Sequence, residues 1–296
     1  MSRRGSAERS ASLKLFVSDL DFTLLGADGT LSSRATRRLN DLIADGLIFT
    51  VATARSAPSI RHLLSGVALE LPVIELNGAI LRDLQSGHIL EHYGLGMAAA
   101  RSINDCFAEQ GFAPYVSGLI GDQNPLFVPP LQNTGMQWFY DEKVHYGDPR
   151  LKDAPEDPIA ANPDMEDVFC FVYLGTKTEI DQIASTVADR IPDVLIVTYA
   201  NHYAGGWEIV IAAPRANKGH AVQRLLSHLR EERAVNIRET TAFGDSSNDL
   251  EMLMAADNAV AVANATAAVK AEASAVIGHH KDDAVLDYLE KIHCGR

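Results

Sequence analysis

Cysteine is scarce: the chain's 296 residues include only Cys106, Cys170 and Cys294, scattered and without a neighbouring cysteine or a metal-like histidine spacing. This excludes a disulfide framework and a paired-cysteine zinc site, and it leads us to expect a reducing, cytoplasmic setting. Positive charge is short as well, with 26 Lys and Arg against 39 Asp and Glu and a net charge of -13. A phosphate backbone needs a basic face, so no nucleic-acid partner is expected. Long apolar runs are missing: the alanine-rich stretch 255–278 is broken by Asp257, Asn264, Lys270 and Glu272. It falls short of the roughly 18 uninterrupted apolar residues of a membrane span, so no membrane partner is expected. Residues 1–12 are polar and Arg/Ser-rich without a signal-peptide apolar stretch, and read as a disordered tail.

What is present is a 47% apolar chain, long enough for one large or two medium domains. Residues 13–82 alternate short apolar runs with amphipathic segments, which predicts strands at 13–19, 47–53 and 73–76 and helices between them. The alternation resumes after 207, with helices at 217–232, 246–256, 266–272 and 282–292 between strands at 240–243, 258–262 and 274–277. Such alternation predicts an α/β domain with a doubly wound parallel sheet, made of 13–82 and 207–296. Residues 83–206 have a different texture and read as an inserted α+β domain. It carries a hairpin signal at Gln85-Ser86-Gly87, a helix near 97–110, and strand, helix, strand at 167–174, 178–189 and 194–199. Residues 121–165 hold seven of the twelve prolines and receive no fold assignment.

Carboxylates recur where apolar strands end. Asp19 and Asp21 stand two residues apart after the first strand, and Gly244-Asp245-Ser246-Ser247-Asn248-Asp249 follows the strand ending at Phe243. A buried strand gains nothing from acids at its edge unless something there binds them, and two such edges can share one cation. Thr53 ends another strand, Lys218 opens a helix, and Asn77-Gly78 reads by itself as a turn. Taken singly, Thr53 is a strand-end hydroxyl, Lys218 a solvated first-turn lysine, and Arg55 a surface arginine or a phosphate contact. His279-His280 reads as an exposed pair. Asn201, His202, Tyr203 and Trp207 gather near the return from the insertion, where aromatic residues usually pack.

In order and spacing these residues resemble the motifs of the haloacid dehalogenase (HAD) superfamily, whose phosphatases carry DxDxT early and GDxxxD late. The run Asn77-Gly78-Ala79 and the echo in Asn264-Ala265-Thr266-Ala267-Ala268-Val269-Lys270 resemble its Cof-type branch. About 30 residues separate Asp21 from Thr53 and 165 separate Thr53 from Lys218, so the resemblance implies a C2-type cap, of C2B-like build, at 83–206. It further implies a Mg²⁺-dependent phosphatase of a small phosphorylated metabolite, sugar phosphates leading, acting through an aspartyl phosphate. Asp19 would be the nucleophile and Asp21 the acid/base; Thr53 and Lys218 would hold the phosphoryl group. Asp19, Asp245 and the Asp21 carbonyl would hold Mg²⁺, with Asn248 and Asp249 behind them and Asn77 and Arg55 beside the site.

Within the class, a mannosyl-3-phosphoglycerate phosphatase is the specific alternative. Outside it stand a phosphotransferase or mutase using the same aspartate, and a catalytically idle binding protein, which would have no need of Asp21. Monomer and homodimer both remain open. The chain departs from the family pattern at Phe22 and Ala54, where glycine is usual, and a phenylalanine predicts no positive backbone angle at 22.

Overall fold

The computed structural model describes residues 13–201, 204–293 and 295; the expected tail at 1–12, His202, Tyr203 and Cys294 lie outside them. In chain order the elements are β1 (Lys14–Ser18), α1 (Ser33–Ala44), β2 (Ile48–Val51), α2 (Ala57–Leu63), β3 (Val73–Glu75), β4 (Ile80–Arg82), β5 (Ile89–His92) and α3 (Met97–Glu109). There follow β6 (Tyr115–Leu119), β7 (Leu126–Val128), α4 (Thr134–His145), β8 (Leu151–Asp153), β9 (Asp167–Gly175), α5 (Lys177–Arg190), β10 (Leu195–Ala200) and β11 (Trp207–Ala212). The chain closes with α6 (Lys218–Glu232), β12 (Glu239–Gly244), α7 (Leu250–Ala255), β13 (Asn258–Ala261), α8 (Ala267–Glu272), β14 (Ala275–Val276) and α9 (Ala284–His293).

The apolar runs at the two ends of the chain meet in one parallel sheet of order β14-β13-β12-β1-β2. β12 is its centre, and β1 lies between β12 and β2 with Phe16 registered between Thr241 and Phe49. Its strands are apolar on both faces, as a sheet covered by helices on each side requires, and Leu15, Phe16, Val17, Phe49, Val51, Phe243 and Val260 share one core with Leu39 and Leu225. The expected α/β architecture is therefore present. β3 touches this sheet through a single parallel bridge, Ala52 to Ile74, and pairs otherwise with β4 in the antiparallel set β3-β4-β5. The turn between β4 and β5 is the Gln85-Ser86-Gly87 signal, with Asp83 Oδ1 accepting from the amides of Gln85 and Ser86.

A second sheet of order β10-β11-β9-β6-β7-β8 has its own core around Phe107, Tyr115, Phe169, Phe171 and Tyr173. Along β9 the side chains alternate. Phe171 and Tyr173 meet Phe107 of α3, whereas Leu174 lies against Gly135 of α4. The proline-rich stretch left unassigned by sequence thus holds β7, β8 and α4, a helix capped by the Asn133 side chain accepting from Met136 N.

One boundary moves. Residues 207–212, grouped with the parallel domain by sequence, form β11, which pairs antiparallel with β9 and β10 in the second sheet. Ile209, Ile211 and Ala216 pack in the second core. Hydrophobic alternation announces a strand; it carries no information about which sheet the strand joins.

Candidate active site

Five chain segments converge at the carboxyl edge of the parallel sheet, where open α/β folds place their ligands. Asp19 follows β1 directly. Its amide donates to Phe243 O at 3.0 Å, which ties the first acid to the strand that delivers the second group. The chain then makes one wide turn, closed by Leu25 N on Leu20 O at 2.9 Å. Phe22 lies inside that turn at φ 58° and ψ 10°, which overturns the expectation of no positive angle there. The left-handed conformation costs a phenylalanine about 1–2 kcal/mol. It is held by Asn264 Nδ2 donating to Phe22 O at 2.8 Å and by the ring's edge-on packing against His280. His280 is itself buried, with Nδ1 at 2.8 Å from Leu25 O, so His279-His280 is not the exposed pair expected from sequence.

Lys218 opens α6 and is fully buried. A cation at a helix N-terminus opposes the helix dipole, and a buried ammonium loses its hydration. Two carboxylates offset both costs: Nζ donates to Asp19 Oδ1 at 2.6 Å and to Asp249 Oδ1 at 2.6 Å. Burial pulls this ammonium's pKa down, but Asp19 and Asp249 outweigh it and hold it above the usual lysine value. The second oxygen of Asp249 accepts from the amides of Asp245 at 2.9 Å and Ser246 at 3.1 Å. Both oxygens of Asp249 therefore serve the protein's own donors. Gly244 makes this possible, because a Cβ there would lie 2.5 Å from the Asp249 Cβ.

Asp245 faces the same space, accepting from the Thr23 hydroxyl at 3.4 Å. Carboxylate oxygens of Asp19, Asp245 and Asp249 all lie within 4.8 Å of one another. Burial, followed by the charge of Asp249, pushes Asp245 up to about 7. Asp19 is raised well above the ordinary range, first by burial and then by Asp249, Asp245 and Asp21, against the opposing pull of Lys218.

Thr53 is buried beside this group, its hydroxyl oxygen accepting from Arg55 N at 3.1 Å. Asn77 is left-handed at φ 53°, and its Oδ1 accepts from Asn248 Nδ2 at 3.0 Å. Gly78 presses against the start of α6, where a Cβ would stand 2.3 Å from Asn217 O. The Asn77-Gly78 turn thus braces both the Lys218 helix and the Asn248 loop. Arg55 reaches the other way: Nε donates to Asp21 Oδ2 at 2.7 Å and Nη2 to Asp21 Oδ1 at 2.8 Å. Its Nη1 donates to Glu142 Oε1 at 3.0 Å and to the Tyr146 hydroxyl at 3.3 Å.

Asp19, Thr53, Lys218, Asp245, Asn248, Asp249 and Asn77 are thus brought into one place, and Asp21 and Arg55 form its outer edge. Glu142 and Tyr146 were not foreseen; they lie in the proline-rich stretch, where no periodicity marks them. Asn201 Nδ2 donates to the buried Glu208 at 2.8 Å, a carboxyl that also accepts from the Tyr199 hydroxyl at 2.7 Å and feels the charges of Lys143 and Glu142, and the Trp207 ring lies 4.9 Å from Lys177 Nζ.

The family model of the haloacid dehalogenase-like hydrolases matches residues 16–289. The chain belongs to that family. Within it the HAD phosphatase relatives place it in the Cof-type branch. It is 25% identical to Phosphatase YwpJ of Bacillus subtilis over 89% of this chain and 94% of that one. To the pyridoxal phosphate phosphatase YbhA of Escherichia coli it is 24% identical over 93% and 97%. The solved HAD subclass IIB sugar phosphatase BT4131 shares its fold with a TM-score of 0.71 at 19% identity, over 95% of this chain and 99% of that one. The chain is accordingly a HAD phosphatase.

HAD phosphatases generally use a divalent metal, and the residues present fit one. Three carboxylates crowd round the single ammonium of Lys218, two of them raised by burial and mutual repulsion, and their donors are all hard oxygens. Hard oxygen donors with excess negative charge suit a small divalent cation. Among the described residues of this HAD phosphatase no helix is long and apolar enough to cross a membrane.

Proposed function

We propose that this HAD phosphatase hydrolyses a small phosphorylated metabolite, of the sugar-phosphate type, through an aspartyl phosphate on Asp19, with Mg²⁺ held by Asp19, Asp245 and the Asp21 carbonyl. The observation that carries the reading is the buried Asp19, 2.6 Å from Lys218 and within the same 4.8 Å group as Asp245. Bound Mg²⁺ would neutralise the two anions that must meet and polarise the phosphoryl oxygens.

Asp19 would attack phosphorus as the ester bond to the leaving oxygen breaks, and that oxygen would take a proton from Asp21. Asp21 would then accept a proton from water, whose oxygen attacks phosphorus, releasing inorganic phosphate and restoring Asp19. Lys218 and Thr53 would hold the phosphoryl oxygens as charge shifts between them, with Asp249 fixing the ammonium. Each Asp21 oxygen accepts one hydrogen bond from Arg55, which orients the carboxyl and leaves a second lone pair on each oxygen for the proton transfer.

Phosphate release from a panel of phosphorylated sugars, glycerates, nucleotides and vitamins, with Mg²⁺ and with EDTA, tests the proposal. A Mg²⁺-dependent release supports it. Transfer between substrate positions with little free phosphate would indicate a mutase, and silence on every ester including p-nitrophenyl phosphate would remove the enzymatic reading.

A further inference from the structure

We propose that the cavity formed by one face of α6, by Arg215 and by the end of β5 is a second anion site, separate from the candidate active site, which takes a small phosphate-type dianion. None of the candidate catalytic residues lines it, so an anion bound there is independent of the chemistry at Asp19.

The cavity measures about 240 Å³, below the range of about 300–1,000 Å³ usual for sites that enclose a drug-sized ligand. It suits a small ion or ester. His220, Gln223, Arg224 and Ser227 line it from α6 at the spacing that puts residues on one helix face, and Arg215 stands just before that helix. This lining offers mostly donors. Arg215 is exposed and, among the described residues, has no hydrogen-bond or ion-pair partner. His220 Nδ1 lies 2.8 Å from Asn217 Nδ2, which can only donate, so the neutral imidazole carries its proton on Nε2. Ser227 adds a hydroxyl.

Arg224 is the anchor. It is only 9% exposed, and it is pinned by Nη2 donating to Gly78 O and by the Tyr93 ring, whose centre lies 4.1 Å from the guanidinium carbon. Its Nε and Nη1 are buried without a hydrogen-bond partner. Among the described residues its one carboxylate neighbour is Glu91, with Oε2 4.0 Å from Nη1, outside hydrogen-bond reach. A buried cation met so incompletely is costly, and burial lowers its pKa against the opposing pulls of Glu91 and Tyr93. In a chain of net charge -13, two guanidinium groups here face a single carboxylate. A dianion gains more from that surplus than a monoanion does, and guanidinium groups match phosphate oxygens in charge and geometry. Glu91 competes with any such anion for Arg224.

Calorimetry of the full-length protein at pH 8, where phosphate is a dianion and an ordinary histidine is uncharged, tests the site with inorganic phosphate, glycerol 3-phosphate and acetate. In EDTA inorganic phosphate should bind at one site per chain, more weakly as salt rises, and acetate about 10-fold more weakly than phosphate. Glycerol 3-phosphate binding as tightly as phosphate would show that the phosphate group alone is read; binding of inorganic phosphate only would name the free ion as the ligand. Arg215→Gln should weaken phosphate binding about 10-fold. Glu91→Gln should tighten it about 5-fold, a gain that a damaged fold cannot give. With Mg²⁺ the same titration should reveal a further site that neither substitution alters; its absence would count against the phosphatase reading and not against this cavity. No saturable phosphate binding in EDTA, or an affinity that both substitutions leave unchanged, overturns the proposal.

Discussion

Arg55 holds Asp21 with two parallel hydrogen bonds, at 2.7 and 2.8 Å, and with its remaining arm holds Glu142 of α4 at 3.0 Å. One side chain therefore joins the candidate acid to the inserted layer. Such a fork needs a planar guanidinium, which a lysine cannot imitate. Arg55→Lys should lower kcat on p-nitrophenyl phosphate by about 10- to 100-fold with a smaller change in KM, because the acid loses its orientation before the substrate loses its site. Steady-state kinetics read the split; a change confined to KM would place Arg55 in ground-state binding instead.

Asp19→Asn should abolish turnover, a loss of about 10,000-fold or more, since an amide cannot form the acyl phosphate. The same substitution keeps an oxygen acceptor for Lys218 Nζ, so the variant should remain folded, with a far-UV circular dichroism spectrum that matches the wild type's. Residual activity above background would sink the nucleophile assignment.

The raised Asp245, at about 7, sets a pH dependence with a definite sign. Between the ordinary carboxylate range and pH 7 the metal-free folded protein keeps a proton there that the unfolded chain has already lost. Its contribution to stability is fully present below the unfolded pKa and is lost as pH rises through about 7. In EDTA the Asp245 contribution should lower Tm between pH 6 and pH 8, and Mg²⁺ should restore more Tm at pH 8 than at pH 6. Asp245→Asn should flatten both trends in the same thermal scans.

Asp249→Ala strips Lys218 of one of its two carboxylates and leaves the amides of Asp245 and Ser246 without their acceptor. Breaking a buried charge pair of this kind costs about 3–5 kcal/mol. Urea unfolding followed by circular dichroism should show a lower midpoint, by that energy divided by the slope m, without a change in slope. An unshifted midpoint would mean that Asp249 does not brace the site.

The residues of the candidate site were legible because each belongs to a local pattern. A strand must end in something polar, a helix must begin with something, and Asp19, Thr53, Lys218 and Asp245 occupy those ends within a few residues of an apolar run. Their order and spacing then identified the family. The parallel sheet was legible for the same reason, since apolar runs alternating with amphipathic segments have few other ways to bury themselves.

Other features were settled only by packing in three dimensions. Asn77-Gly78 reads locally as a turn; that it braces Asn217 and Asn248 depends on chain more than 130 residues away. The positive angle at Phe22 depends on Asn264 and His280, which hold a conformation the residue disfavours by itself. The allegiance of β11 and the partnership of Arg55 with Glu142 have no local signature at all. Local pattern is set by how near neighbours share a face, so sequence alone determined the elements of the parallel domain and the acids at their ends; burial, strand pairing and charge pairing join distant residues, so the tertiary structure alone decided which of them meet and what the 121–165 stretch forms.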